Sequence, residues 1–225
     1  MATFNEVKGH NRNLIRKTLE MSVFIKVYED DDEEITQVWD GTGLVVPTGY
    51  NSVGLVTKSD GASWTREQST SDTESMGYAE PTRRDITSDI TGISIVMQES
   101  KRQTLELYHG VDLAGVTVDA NGNFYFDRPS RPSVRRYRVL ALGKEGDGPE
   151  AIYLARWLPN AQVTENGEQA WVEETEIQYP ATLTAFTDDK FGTSFREIWG
   201  GPGLDAEAMG FPEPGTGGGG GGVEG

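Results

Sequence analysis

The sequence predicts a mainly β domain, a β-sandwich or barrel flanked by one short α-helix. Three observations carry this reading. β-branched and aromatic residues alternate with polar ones over short runs, Gly, Asn and Asp turns separate those runs, and one segment alone has strong helix-end signals at both ends. At 225 residues the chain is long enough to bury roughly 70% of its unfolded surface in a single domain without staples. It divides into an N-terminal arm over 1–22, a β domain over 23–205, and a flexible Gly-rich tail over 206–225.

Taken in order, a weak helix signal covers Leu14 to Met21, and Arg12, Arg16 and Lys17 make the arm basic enough to meet a neighbour's acids. Val23, Ile25 and Val27 share one face of the first strand, and Ile93, Ile95 and Met97 share one face of another. The confident helix lies in ESKRQTLELYHGVDL: Ser100 is placed to cap it, Gln103 to complete a capping box, and Gly110 to take the left-handed position that ends it. Leu105 and Tyr108 face the same way. Tyr137, Val139 and Ala141 mark a further strand, joined by the turn KEGDGPE to a strand near Ile152 to Trp157.

Two Asn-Gly pairs, Asn121-Gly122 and Asn166-Gly167, predict hairpins, because both residues accept the positive φ of a type I′ turn. After the second pair a long strand is expected from Ala170 to Phe186, interrupted at Pro180. Trp199 is expected to pack on the domain as the chain leaves, with Gly200 and Gly201 turning it. Twelve of the 28 glycines lie from Gly200 onward, six of them consecutive, and such a run cannot bury enough surface to order itself.

Composition excludes several functions. Zero Cys removes thiolate metal sites, iron–sulfur clusters and disulfide scaffolds. No run approaches the roughly 18 apolar residues of a membrane span, and no signal peptide is legible at the start, so synthesis and folding in a cytoplasm are expected. The formal charge of −16 opposes a protein that grips nucleic acid, since that grip comes from Lys and Arg neutralising phosphates. Only His10 and His109 are present, no GxSxG, HExxH or phosphate-cradling loop occurs, and Gly41-Thr42-Gly43 is a lone turn signal. The chain reads as no enzyme, with no cofactor and no catalytic or metal residues.

Charge is nevertheless patterned. The run Glu29 to Glu34, EDDDEE, offers hard oxygen ligands but lacks the glycine and terminal Glu of a calcium loop, so a solvated loop is the expectation. Arg128, Arg131, Arg135, Arg136, Arg138 and Lys144 follow one another without an acid after Asp127. They suit either phosphate or, as the favoured reading, an acidic surface on a neighbouring subunit. Residues 66–84, REQSTSDTESMGYAEPTRR, read as a turn-rich connection far longer than a hairpin loop needs.

Two stretches carry a resemblance. Residues 75–113, SMGYAEPTRRDITSDITGISIVMQESKRQTLELYHGVDL, and residues 155–203, ARWLPNAQVTENGEQAWVEETEIQYPATLTAFTDDKFGTSFREIWGGPG, resemble major tail tube proteins of long-tailed phages, particularly those of actinobacteria. The match spans roughly 49–203 and leaves out EDDDEE and the oligoglycine tail. It implies a β-sandwich or barrel assembled into hexameric rings that stack as the phage tail tube, a relative of the type VI secretion tube. The genome would pass through the lumen without being bound, and a tape measure protein and tube-end proteins would be partners. With that frame, Met76, Tyr78, Arg83 and Arg84 are candidates for contact with the adjacent ring. Glu173, Glu174 and Glu176 are candidates for the lumen face, and the five arginines from Arg128 to Arg138 for the subunit interface. The alternative from another class is a calcium-dependent carbohydrate-binding β-sandwich using the acidic run and an exposed Trp.

Overall fold

The computed structural model describes residues 3–131 and 133–212, so the oligoglycine run and the rest of the tail past residue 212 lie outside the described residues. Eight strands are found among them: β1 Glu20–Val27, β2 Asn51–Ser52, β3 Ala62–Thr73, β4 Arg83–Met97, β5 Arg136–Glu145, β6 Ile152–Asn166, β7 Tyr179–Ala185 and β8 Arg196–Gly200. One turn of helix, α1, covers Phe4–Val7, and the principal helix, α2, covers Arg102–His109. All strands pair antiparallel in one sheet of order β2-β1-β5-β6-β7-β4-β3, with β8 on β6.

Residues 51–57 close that sheet into a barrel. Their first half pairs with β1, through Phe24 opposite Ser52 and the Val53 N–H on the Val23 carbonyl. Their second half pairs with the end of β4, through a bridge from Val56 to Met97 and the Thr57 N–H on the Val96 carbonyl. The interior is filled by the predicted apolar faces: Val23 and Ile25, Ile93, Ile95 and Met97, Tyr137, Val139 and Ala141, with Leu158, Leu183 and Leu107 of α2. Val27, expected on the same face, ends its strand half in solvent at 44% exposure.

A second apolar cluster lies on the outer face of β5 and β6. Leu140, Leu142, Ala155 and Trp157 are covered there by Ile35 and Val38 of the 28–50 connection and by Ile198 of β8. β5 is therefore buried on both sides, which its simple alternation does not announce.

Several local expectations are corrected. No helix forms over Leu14 to Met21; a 3-10 turn at Arg12–Leu14 gives way to extended chain because the Leu19 N–H finds the Lys144 carbonyl beside β5. α2 ends at Gly110 as expected, with φ 66°, but Ser100 does not cap it. Lys101 holds the cap position, and the Ser100 hydroxyl meets the Tyr179 hydroxyl at 2.7 Å.

Asn121-Gly122 makes a turn, with Gly122 at φ 87° and the Asp119 carboxylate accepting from the Asn121 and Asn123 N–H groups, yet no strands flank it. At Asn166-Gly167 the glycine serves closeness and not handedness. Its φ is not positive, and a Cβ there would sit 2.7 Å from Pro180 Cβ. The long strand after it shrinks to β7. Pro180 lies within β7 where the β6 ladder runs out, and its carbonyl takes the Gly167 N–H, so its missing N–H faces the end of the ladder. Trp199 lies half-buried on β8 at the chain exit, and Gly201 takes φ 112° where a Cβ would meet the Ala151 carbonyl at 2.4 Å.

Candidate assembly surfaces

The stretch 66–84 is an arm, not a loop. β3 and β4 pair continuously from Ala62 opposite Ile95 to Thr73 opposite Arg83, with one bulge beside Ser69 and Thr70. β7 supports β4 only from Gly92 to Met97. The nine residues of β4 beyond that point carry the arm about 30 Å past the barrel wall at 3.3 Å per residue. Cross-strand ion pairs brace it: Arg66 with Asp89 at 2.5 Å, and Arg84 with Asp72 at 2.7 Å. Arg83 pairs with Asp85 at 2.8 Å. Arg83 and Arg84 are thus partnered within the chain, each with most of its side chain in solvent. Met76 and Tyr78, at the tip, are 101% and 72% exposed.

The opposite end of β4 lies beside α2, which plugs one mouth of the barrel with Leu107. Two long loops gather there. The described residues of the 111–135 connection are tied to α2 by the Phe126 ring, 5.2 Å from that of His109, and to one another by Arg135, 4.0 Å from Asp112. Residues 167–178 are tied by the Tyr108 hydroxyl donating to the Gly167 carbonyl at 3.0 Å. Glu173, Glu174 and Glu176 fall on this second loop and not on a strand, and all three are exposed. Glu176 accepts from the Gln98 and Gln178 side-chain amides, which hold its carboxyl below the usual range. On these two loops Tyr125, Trp171, Val134 and Val118 stand largely in solvent.

Among the five arginines, Arg128 and Arg131 are exposed and form no ion pair among the described residues. Arg136 is exposed with its guanidinium 4.0 Å above the Tyr28 ring. Arg138 is a correction, because its side chain is 0% exposed and cannot meet a neighbour. It donates to Asp32 at 2.5 Å, to Asp188 at 3.0 Å, and to the Pro159 and Glu29 carbonyls at 2.8 and 2.7 Å.

That cluster also corrects the acidic run, which is only partly a solvated loop. Asp32 is buried and is gripped by Lys26 as well as Arg138, while Glu34 pairs with Arg196 and the Lys190 ammonium reaches the Asp32 carbonyl at 2.6 Å. Burial works to raise the Asp32 carboxyl, but the hydrogen bonds from Lys26 and Arg138 outweigh it and hold it below its ordinary range. Glu29, Asp31 and Asp32 do bring carboxylate oxygens within 4.8 Å of one another. Lys26, 2.9 Å from Glu29, and Arg138 already supply the positive charge that a cation would bring.

The outer face of β3, β4, β7 and β6 has a different chemistry. Register places Thr65 opposite Gly92, Ser63 opposite Ser94, Ser94 opposite Thr182, and Thr184 opposite Gln162. Hydroxyls bridge the strands, Ser94 to Thr182 at 2.9 Å and Thr164 to Thr184 at 2.9 Å. No Lys or Arg shares this face between Ser63 and Ser69 on β3 or between Ser88 and Ser94 on β4.

The sequence profile of phage tail tube proteins matches residues 28–197, more than half of the chain. The chain belongs to the phage tail tube protein family. A tail tube protein is a structural component of the virion tail and not an enzyme. A crystal structure of an Hcp protein is also similar, at 10% identity and a TM-score of 0.29, covering 78% of this chain and 98% of that one. At that score the likeness adds nothing to the fold, which rests on the strand pairing itself. A search of curated proteins finds no match to the tail tube protein's sequence.

Proposed function

We propose that this tail tube protein assembles into six-membered rings that stack into the tube through which the phage genome leaves, in a tail assembled in the host cytoplasm. The observation that carries the reading is the β3–β4 arm. A two-stranded ribbon is marginal alone, and one projecting about 30 Å with an apolar tip gains its stability from a surface it lies on. Open strand edges, β3 on one side and β8 on the other, offer further pairing between neighbours around a ring. Arg136, exposed at the start of β5, stands available for such a contact. The tape measure and the tube-end proteins are the further partners of this reading.

The hydroxyl face is the wall that suits the lumen. It offers a passing polyanion hydroxyls that already bond one another across the strands and no cation to hold phosphate. The exposed acids of the 167–178 loop, Glu173 and Glu174 among them, add repulsion at the rim of that wall. Negative-stain microscopy of the concentrated protein tests the reading. Stacked six-membered rings are expected, and a protein that stays monomeric at high concentration, with the arm intact, would remove it. Calcium titration by calorimetry is expected to give no heat of binding, since Lys26 and Arg138 occupy the acidic cluster; calcium-dependent stabilisation would revive the carbohydrate-binding alternative.

A further inference from the structure

We infer that the tip of the β3–β4 arm seats on the α2 end of a copy of the chain in the next ring, with Glu74 and Glu80 against Arg128 and Arg131, and Met76 and Tyr78 against the aromatic loops. The inference rests on the tube reading and names the receptor for its arm.

Position makes the first argument. Arg83, at the tip, and Met97, beside α2, are separated by fourteen residues of one strand, about 46 Å at the rise of β structure. The two patches therefore lie at opposite ends of the subunit along the strand direction. A contact between opposite ends of identical copies is head-to-tail, and repeated without closure it generates an open stack. A second copy satisfies both patches at once, with each subunit giving its tip and receiving another.

Charge makes the second. From Asp72 to Asp85 the tip carries four acids against two arginines, and both arginines are consumed by Asp72 and Asp85 within the arm. Glu74 and Glu80 are left exposed, with no ion pair among the described residues. At the far end the balance reverses. From Asp127 to Arg136 there are four arginines and one acid, with Arg135 held by Asp112 and Arg136 stacked on Tyr28. Arg128 and Arg131 remain as the complement of Glu74 and Glu80 in a protein whose other cations are largely spoken for.

Surface chemistry makes the third. Met76 is wholly exposed on the tip, and Tyr125 and Trp171 are 85% and 79% exposed on loops tied to the same helix. A flexible thioether between aromatic rings is a favourable contact, and its burial removes apolar area from water at both ends of each subunit.

The experiment uses the full-length protein, whose lack of cysteine makes introduced thiols unambiguous. The pair Glu74→Arg with Glu80→Arg is expected to leave rings but abolish stacking, and the pair Arg128→Glu with Arg131→Glu to do the same. The four changes combined are expected to restore tubes. Met76→Cys mixed with Tyr125→Cys is expected to form disulfides between rings. Normal tubes from either charge-reversed pair, no rescue by the combined variant, or disulfides confined to single rings would overturn the contact. Absence of any ring from the wild-type protein would instead overturn the tube reading on which it stands.

Discussion

Arg138 differs from the other arginines of its segment in what surrounds it. Its guanidinium lies between the Tyr28 and Phe191 rings, 4.4 and 5.1 Å from their centroids, and donates to two carboxylates and two carbonyls. Removing it leaves Asp188, 0% exposed, with its charge unmatched. Arg138→Ala is therefore expected to cost about 3–5 kcal/mol in urea unfolding, while Arg136→Ala, on the surface, changes stability by about 0.5 kcal/mol or less. Acid sensitivity belongs to the same cluster. The folded Asp32 carboxyl lies below its ordinary 3.8, so the unfolded chain takes up that proton first as pH falls. Its contribution is complete above the unfolded value and is lost as pH drops through the folded one. Asp32→Asn is expected to lower stability at pH 7 and to flatten its decline below about pH 4, measured by urea unfolding across pH.

At the scale of elements, the arm was hidden in the sequence for a physical reason. A strand announces itself by alternation only when one of its faces is buried, and β3 from Thr65 to Thr73 is exposed on both. Ser, Thr and charged residues then read as a loop, and only the cross-strand pairing with β4 shows otherwise. Asn166-Gly167 misled in the opposite sense: the pair marks a hairpin, but a glycine chosen for contact with Pro180 leaves twelve residues of loop before β7. Replacing residues 74–82 by a two-residue Asn-Gly turn is expected to preserve folding and ring formation and to prevent long tubes, checked by thermal melting and electron microscopy. α2 was legible because its apolar face and terminal glycine are local features. Leu107→Ala, which empties the barrel plug, is expected to cost about 2–5 kcal/mol, checked by urea unfolding.

For the whole molecule, the charge of −16 is arranged in two ways. Part of the acidic run is neutralised inside the chain by Lys26, Arg138 and Arg196 from three different strands. The outer face between Ser63 and Ser69 of β3 and between Ser88 and Ser94 of β4 instead has no Lys or Arg, and with β7 and β6 it presents hydroxyls. In the tube reading, Ser94→Lys with Thr184→Lys is expected to leave tube length unchanged and to slow DNA ejection, more at low salt than at high, because the added ammonium groups hold phosphate and salt screens them. Ejection from phage carrying these substitutions, followed by a DNA-binding dye at two ionic strengths, checks this. An unchanged ejection rate would place the hydroxyl face away from the lumen.

Legible from the sequence alone were the β class, the inward faces of β1, β4 and β5, and the position of α2 with its stop at Gly110. Each is a property of neighbouring residues, set by side-chain period, turn chemistry or composition. Tertiary structure decided the rest: closure of the sheet through residues 51–57, the arm, the burial of Arg138, and the partners of Asp32 and Glu34. These depend on contacts between residues tens to more than a hundred positions apart, such as Asp32 with Arg138 and Glu34 with Arg196. Their charge and polarity look the same in sequence whether they face water or each other.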